Sequence, residues 1–347
     1  MVFGAGPLGS LMAARLVEAG KDVTLLARGK RLEDYKKYGI VLEDEVSGVQ
    51  TVTPIKLTDS FGAEDEYDLV MVVMRKNQVG QILPMLAANK KVPVFLFMMN
   101  NAVGPGDFIS LLGQERVMTG FPAPGGERVG HIIRHVPVDE NTIWSLPIGE
   151  VNGIVKDRTR QVAELLSSMR GYKVQIRQDM DNWHKYHVAV LMPAFAPALL
   201  AAKVKMKRMG RTRDLVVLGL RGIKEAFRAL EKCGIPVTPR ILKSVYWVPE
   251  PVMVMVLSKM LISEKYKSSI EGHMTGGYDE IKHLTYEIMP LIRKSGVPTP
   301  SIDSLLPYYE DKGPEIPEGS KSIPMKWGGV MFPLLTIAVL IGLLIIL

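Results

Sequence analysis

Three features of this 347-residue chain have the residue types and spacing that chemistry needs. Gly4-Ala5-Gly6-Pro7-Leu8-Gly9 opens it, Lys185 stands near the start of an otherwise apolar helical pattern, and Glu280 supplies a carboxylate further along. A glycine turn of the first kind serves a dinucleotide. Gly4 allows the tight turn, Gly6 lets backbone approach a pyrophosphate, and Gly9 lets a helix pack close to a strand. Pro7 and Leu8 open that helix, whose free N–H groups and positive dipole favour phosphate. Hydride transfer from a nicotinamide to a ketone builds negative charge on oxygen, and that oxygen needs a proton donor within hydrogen-bond reach. A lysine serves when partial burial lowers its pKa. Lys185 is the candidate donor, against the alternative of a lysine snorkelling from a helix end. Glu280 is its candidate carboxylate partner, against the alternative of an exposed helix acid.

These residues need elements to hold them. Leu8, Leu11, Met12, Leu16 and Val17 recur at helical spacing and Gly20 fits a helix C-cap. Asp22–Leu26 then reads as a strand. An Asp or Glu at its end would accept from the ribose 2′-hydroxyl of NAD. Here the strand runs into Arg28, with Lys30 and Arg31 close by, which selects the 2′-phosphate of NADP. The alternative is a solvated basic turn. The strand before Gly4 is only Met1-Val2-Phe3, so either it is short or the coding start lies a few codons upstream.

Hydrophobic content of 47% is ample for burial, and the length suggests two domains. A lone cysteine, Cys233, excludes internal disulfides and cysteine-rich metal sites. His131 and His135 share a strand face but lack a Cys or acidic ligand set, so no metal is expected. The net charge of +7 comes without the aromatic-basic interleaving of nucleic-acid binders, so no nucleic-acid partner is expected. No signal peptide opens the chain. From Trp327 to Leu347 it is uncharged and almost wholly apolar. That stretch reads as a single C-terminal membrane anchor, about 30 Å long as a helix, with the body on the cytoplasmic side. The basic run Lys203, Lys205, Lys207, Arg208, Arg211 and Arg213 reads as a solvated face, or as a face resting on anionic lipid.

Tyr67–Met74, Val92–Phe97 and Arg116–Gly120 read as buried strands, 129–148 as β-ribbon, Asp157–Arg170 as a helix and Lys173–Ile176 as a last strand. Helical patterns follow over Asn182–Lys203, Thr212–Cys233, Pro251–Glu264 and Tyr278–Ser295. The expected fold class is α/β: a Rossmann-like domain with a parallel sheet over residues 1–178, then an all-α domain over 179–309. A linker covers 310–326 and the transmembrane tail 327–347.

The chain resembles the ketopantoate reductase (2-dehydropantoate 2-reductase) family over about residues 1–306. The resemblance rests on GAGPLG, on Met74-Arg75-Lys76-Asn77-Gln78, on Asn101-Ala102-Val103-Gly104, on Trp183-His184-Lys185, and on Glu280-Ile281 followed by Gly296-Val297-Pro298-Thr299-Pro300. It implies NADPH-dependent reduction of a 2-oxo acid, with ketopantoate to pantoate, a step toward pantothenate and coenzyme A, as the default substrate. It implies that Lys185 is the catalytic lysine and that Glu280 orients it and contacts the substrate hydroxyl. It places Asn101 near nicotinamide and substrate. It assigns Ser268 or Ser269 to the substrate carboxylate, and Arg75 to cofactor phosphate or substrate carboxylate. The family carries two asparagines four and eight residues after the lysine. This chain has Ala189 and Pro193 there, or Val188 and Met192 with a one-residue gap, and neither register supplies an amide. The oligomeric state, a homodimer included, is left open.

Overall fold

The computed structural model describes residues 1–139, 141–263 and 267–327, and the side chains of Ser268 and Ser269 lie outside that description. The contacts divide the chain into two units, Met1–Lys185 with Ser268–Glu287, and Tyr186–Lys267 with Ile288–Leu347. Among the described residues no helix is long and apolar enough to cross a membrane. The expected tail lies outside them, apart from Trp327.

In the first unit the strands are β1 (Val2–Phe3), β2 (Thr24–Leu26), β3 (Ile40–Asp44), β4 (Gln50–Thr53), β5 (Lys56–Thr58) and β6 (Val70–Val72). They continue with β7 (Phe95–Met98), β8 (Val117–Gly120), β9 (Gly126–Val129), β10 (Ile132–His135), β11 (Trp144–Glu150) and β12 (Tyr172–Ile176). The main sheet has the order β12-β11-β8-β7-β6-β1-β2-β5. From β8 to β5 all pairs are parallel, and β11 turns the other way against β8. The central strands read as unbroken apolar runs because both faces are buried. Met71, Leu96 and Met118 join one core with Leu11, Met12 and Leu16 of the helix Pro7–Glu18. Val70, Val72, Phe95 and Phe97 join the other with Leu86 and Phe108. The period of two is the alternation a strand imposes on its side chains.

A smaller sheet, β4-β3-β10-β9, consists of two hairpins joined by parallel pairing of β10 with β3. His135 is buried in it, while His131 stacks on Tyr38 with ring centroids 4.1 Å apart. Among the described residues no group of His, Cys, Asp and Glu could hold a metal ion.

The second unit is helical. Its long helix Arg213–Lys232 buries Leu215, Val216, Leu220, Phe227 and Leu230. The expected helix Asn182–Lys203 is interrupted. An α-helix runs over Met180–Val190, a π-helical turn over Leu191–Phe195, and a further helix over Ala196–Ala201. Pro193 has no N–H to donate, which breaks the regular ladder at that turn. Gly222 is packed against the turn, where an added Cβ would lie 2.7 Å from Ala194 Cβ.

Candidate active site

The chain leaves β1 toward β2 on one side and returns to β6 on the other, so the ends of β1 and β6 form the switch point where open α/β sheets bind ligands. The glycine turn sits there. Gly4 has φ +126°, and a Cβ on it would stand 2.2 Å from the Val73 carbonyl oxygen. A Cβ on Gly9 would stand 2.0 Å from the Gly4 carbonyl oxygen. Gly6 has nothing within 4 Å of such an atom. Two glycines are therefore required by the turn itself, while the third faces open space. Gly6 N-caps the helix Pro7–Glu18, whose first turn holds no acidic residue and has no side-chain cap. These residues fit a dinucleotide pyrophosphate.

Arg28 is exposed just beyond β2, and its Nε donates to the Asp59 carbonyl at 3.0 Å. Lys30 pairs with Asp34 at 2.9 Å, and Arg31 is exposed. A polar link absent from the sequence reading lies beneath. Ser10 Oγ and the Tyr35 hydroxyl are 2.5 Å apart, and the Arg128 guanidinium donates to the same hydroxyl. It joins the dinucleotide helix to the helix Lys30–Tyr38 and to β9.

The turn after β7 carries Asn100, Asn101 and Gly104. Asn101 is buried and accepts the Gly104 N–H at 3.0 Å through Oδ1. Gly104 has φ +90°, and a Cβ on it would lie 2.9 Å from Asp181 Oδ1 and 3.6 Å from Lys185 Nζ. Lys185 is only 8% exposed and its ammonium donates to the Asp181 carboxylate, one helical turn back on Met180–Val190. The fold thus brings Asn101 and Lys185 to one place.

Glu280 is 5% exposed, near the start of the helix Tyr278–Lys294. Its Oε1 accepts the Lys76 backbone N–H at 3.0 Å, and the Asn100 side chain hydrogen-bonds to the same carboxyl. Asn100 Oδ1 is buried without a hydrogen-bond partner. Arg75 donates to Asp279 at 2.7 Å and to the Gly276 carbonyl, and Asn77 donates to Asp279 at 2.9 Å. Arg75 is thus engaged with protein groups. Its neighbour Lys76 is the buried cation, with Nζ 4.8 Å from the Phe108 ring centroid and 3.8 Å from Glu287. Ser268 and Ser269 lie on the helix Lys267–Gly276, with side chains outside the described residues. Lys76, Asn100 and Asp181 are the site residues that sequence reading missed. Lys76 and Asn100 each adjoin a singled-out residue, and Asp181 precedes Lys185 by one helical turn.

Burial raises the Glu280 carboxyl above the ordinary range, against the Lys76 N–H, the charge of Arg75 and the Asn100 side chain. A carboxyl raised on folding lends stability below its unfolded value and loses it as pH rises through its folded value. At neutral pH it is a burden on the fold. Glu280→Gln keeps an acceptor for Lys76 and sheds the charge. Its melting temperature is expected to equal or exceed that of the natural chain at pH 7, the gain shrinking toward about pH 4. Thermal melts across pH check this, and a pH-independent loss would contradict it.

A parallel sheet with a glycine turn at its switch point is a Rossmann-type fold, the architecture that receives dinucleotides. The sequence model of the ketopantoate reductase PanE/ApbA family matches residues 1–143, and the chain is an oxidoreductase. It is 24% identical over 295 residues to the uncharacterized oxidoreductase YkpB of Bacillus subtilis, covering 80% of this chain and 89% of that one. It is 29% identical over 204 residues to a 2-dehydropantoate 2-reductase of Mesorhizobium japonicum, covering 52% and 60%. The fold matches the crystal structure of a PanE/ApbA family ketopantoate reductase from Ralstonia eutropha JMP134 with a TM-score of 0.70. That match has 18% identity and covers 89% of this chain and 97% of the other.

Proposed function

We propose that the chain reduces a 2-oxo acid to the 2-hydroxy acid with NADPH, ketopantoate to pantoate being the default substrate. The observation that carries this is the turn Asn100–Gly104. It touches the buried Glu280 carboxyl through Asn100 and closes on the Lys185 ammonium at Gly104. A bound nicotinamide supplies the hydride. The oxygen of the ketone becomes an alkoxide as its carbon accepts hydride, and Lys185 Nζ gives that oxygen its proton. Asp181 holds the ammonium in place beforehand. Glu280 accepts from the substrate hydroxyl, and the orphaned Asn100 Oδ1 offers a second acceptor. Asn101 Oδ1 stiffens the turn by accepting from Gly104. Ser268 or Ser269 binds the substrate carboxylate.

Arg28 supports NADPH over NADH. It follows the end of β2, the position where an Asp or Glu would accept from the ribose 2′-hydroxyl of NAD. Arg28→Ala is expected to raise the KM for NADPH about tenfold, a loss of ~1.4 kcal/mol, with little change for NADH. Equal or better turnover of NADH by the natural chain would overturn the preference.

A second reading is favoured by one observation. Val188, Ala189, Met192 and Pro193 are all buried and none can hydrogen-bond through a side chain. A site without those amides loses discrimination for a hydroxylated substrate, so a 2-oxo acid with a less polar side chain is the alternative. A third reading is a membrane-tethered NADPH-binding protein without turnover. Following NADPH oxidation over a panel of 2-oxo acids separates them: ketopantoate turnover supports the first, another substrate the second, and tight binding without turnover the third. The apolar sequence from Trp327 to Leu347 supports a C-terminal anchor that keeps the enzyme on the cytoplasmic side of a membrane.

A further inference from the structure

The basic run 203–213 does something the sequence did not announce. Arg208 donates to the Ile316 carbonyl at 3.1 Å, and Arg213 to the carbonyls of Lys321 and Ile323. Thr212 Oγ1 accepts the Gly319 N–H at 3.3 Å. Asp214 accepts the N–H groups of Ser322 and Ile323 at 2.8 and 3.0 Å. Arg221 donates to the Pro324 carbonyl at 2.7 Å and to Glu250, and Glu250 accepts the Lys326 N–H at 2.9 Å. The linker is thereby strapped along the helices Met206–Arg211 and Arg213–Lys232. It ends at Glu250, the first residue of the helix Glu250–Ile262.

That helix has a buried side and an apolar exposed one. Val254 and Leu261 are buried, and it packs on Met206–Arg211 so closely that a Cβ on Gly210 would lie 2.9 Å from Leu261 Cβ. Outward it presents Val252, Met255, Val256, Met260 and Ile262, with Trp247 just before it at 74% exposure. Contiguous exposed apolar side chains of this kind mark an interaction surface. The strap says which one. The last strapped residue, Lys326, is bonded at the start of this helix, and the twenty residues that follow Trp327 are uncharged and almost wholly apolar. The apolar tail therefore begins one residue beyond the contact with Glu250, at the start of the helix that carries the exposed face. Lys259 on the helix and Lys326 beside it supply cations for anionic headgroups.

We propose that the exposed face of Glu250–Ile262, with Trp247, lies in the interface of an anionic bilayer, so that strap and helix together set the enzyme's orientation on the membrane. The inference rests on the membrane-anchor reading of the tail. The test uses the full chain reconstituted into phosphatidylcholine–phosphatidylserine vesicles with brominated acyl chains, which quench tryptophan at the bilayer. Trp247→Phe and Trp327→Phe are each expected to remove a substantial share of the quenching. Met255→Glu with Val256→Glu is expected to keep the chain on the vesicles while Trp247 escapes the quencher. If Trp327→Phe removes all the quenching and Trp247→Phe none, the tail inserts but the face stands off the bilayer, and the proposal fails while the anchor survives. If the chain stays in the supernatant with no quenching, the anchor reading fails with it. Disulfide linkage of Met255→Cys between copies in the same vesicles would assign the face to a second copy and overturn the proposal.

Discussion

Lys185→Ala should lower kcat by about 10²- to 10⁴-fold, the range for loss of a positioned proton donor, while the Kd for NADPH stays unchanged. In barrier terms this is about 3 to 5 kcal/mol. The expectation follows from where the lysine sits. It is almost fully buried, it faces the turn at Gly104, and its ammonium is pinned by Asp181. The glycine turn proposed to hold the phosphates is built from other residues, so binding and chemistry should separate. Asp181→Asn is expected to show a smaller fall in kcat, about tenfold, because the ammonium survives but its position is no longer fixed. Stopped-flow binding with steady-state rates reads both. Near-normal turnover of Lys185→Ala would remove it as the acid.

The second large effect is a contrast between two glycines of one motif. An added Cβ at Gly9 meets a backbone carbonyl at 2.0 Å, which no side-chain movement relieves. Gly9→Ala is expected to cost about 1 to 3 kcal/mol by overpacking, with a visible fall in melting temperature and weakened cofactor binding. Gly6→Ala meets nothing within 4 Å. It should melt like the natural chain yet bind NADPH at least tenfold more weakly, because the methyl group takes the space a phosphate needs. Thermal melts and cofactor titrations on the two variants check the pair. If Gly6→Ala binds NADPH normally, the pyrophosphate does not lie on this turn.

What could be read from sequence follows the physics of each element. The glycine turn was legible because its backbone needs exclude other residues. Strands β6 and β7 were legible because burial on both faces leaves an unbroken apolar run, although their ordered ladders are shorter than those runs. The helix Arg213–Lys232 was legible from its periodicity. Strands β3 to β5 were not. Strand β4 is largely exposed and β5 partly so, which leaves neither with an unbroken apolar run, and β3 finds its parallel partner β10 some ninety residues away. At the site, Lys185 stood out as a cation in an apolar helix. Lys76 and Asn100 did not, because their meaning comes from Glu280, which lies 204 residues beyond Lys76. In the basic run Lys203, Lys205, Lys207 and Arg211 are exposed, as expected, but the roles of Arg208 and Arg213 were hidden for a related reason. Arg208 and Arg213 bond backbone carbonyls 108 to 110 residues away, and carbonyls leave no mark in a sequence.

Hydride transfer from NADPH to a 2-oxo carbon, with Lys185 as acid, can be read in the product. Its most direct measurement uses deuterium-labelled NADPH, a panel of 2-oxo acids that begins with ketopantoate, and mass detection of the product. The expected product is a 2-hydroxy acid with one deuterium at C2, formed by the natural chain and lost with Lys185→Ala. Tight NADPH binding with no labelled product from any member of the panel would contradict it.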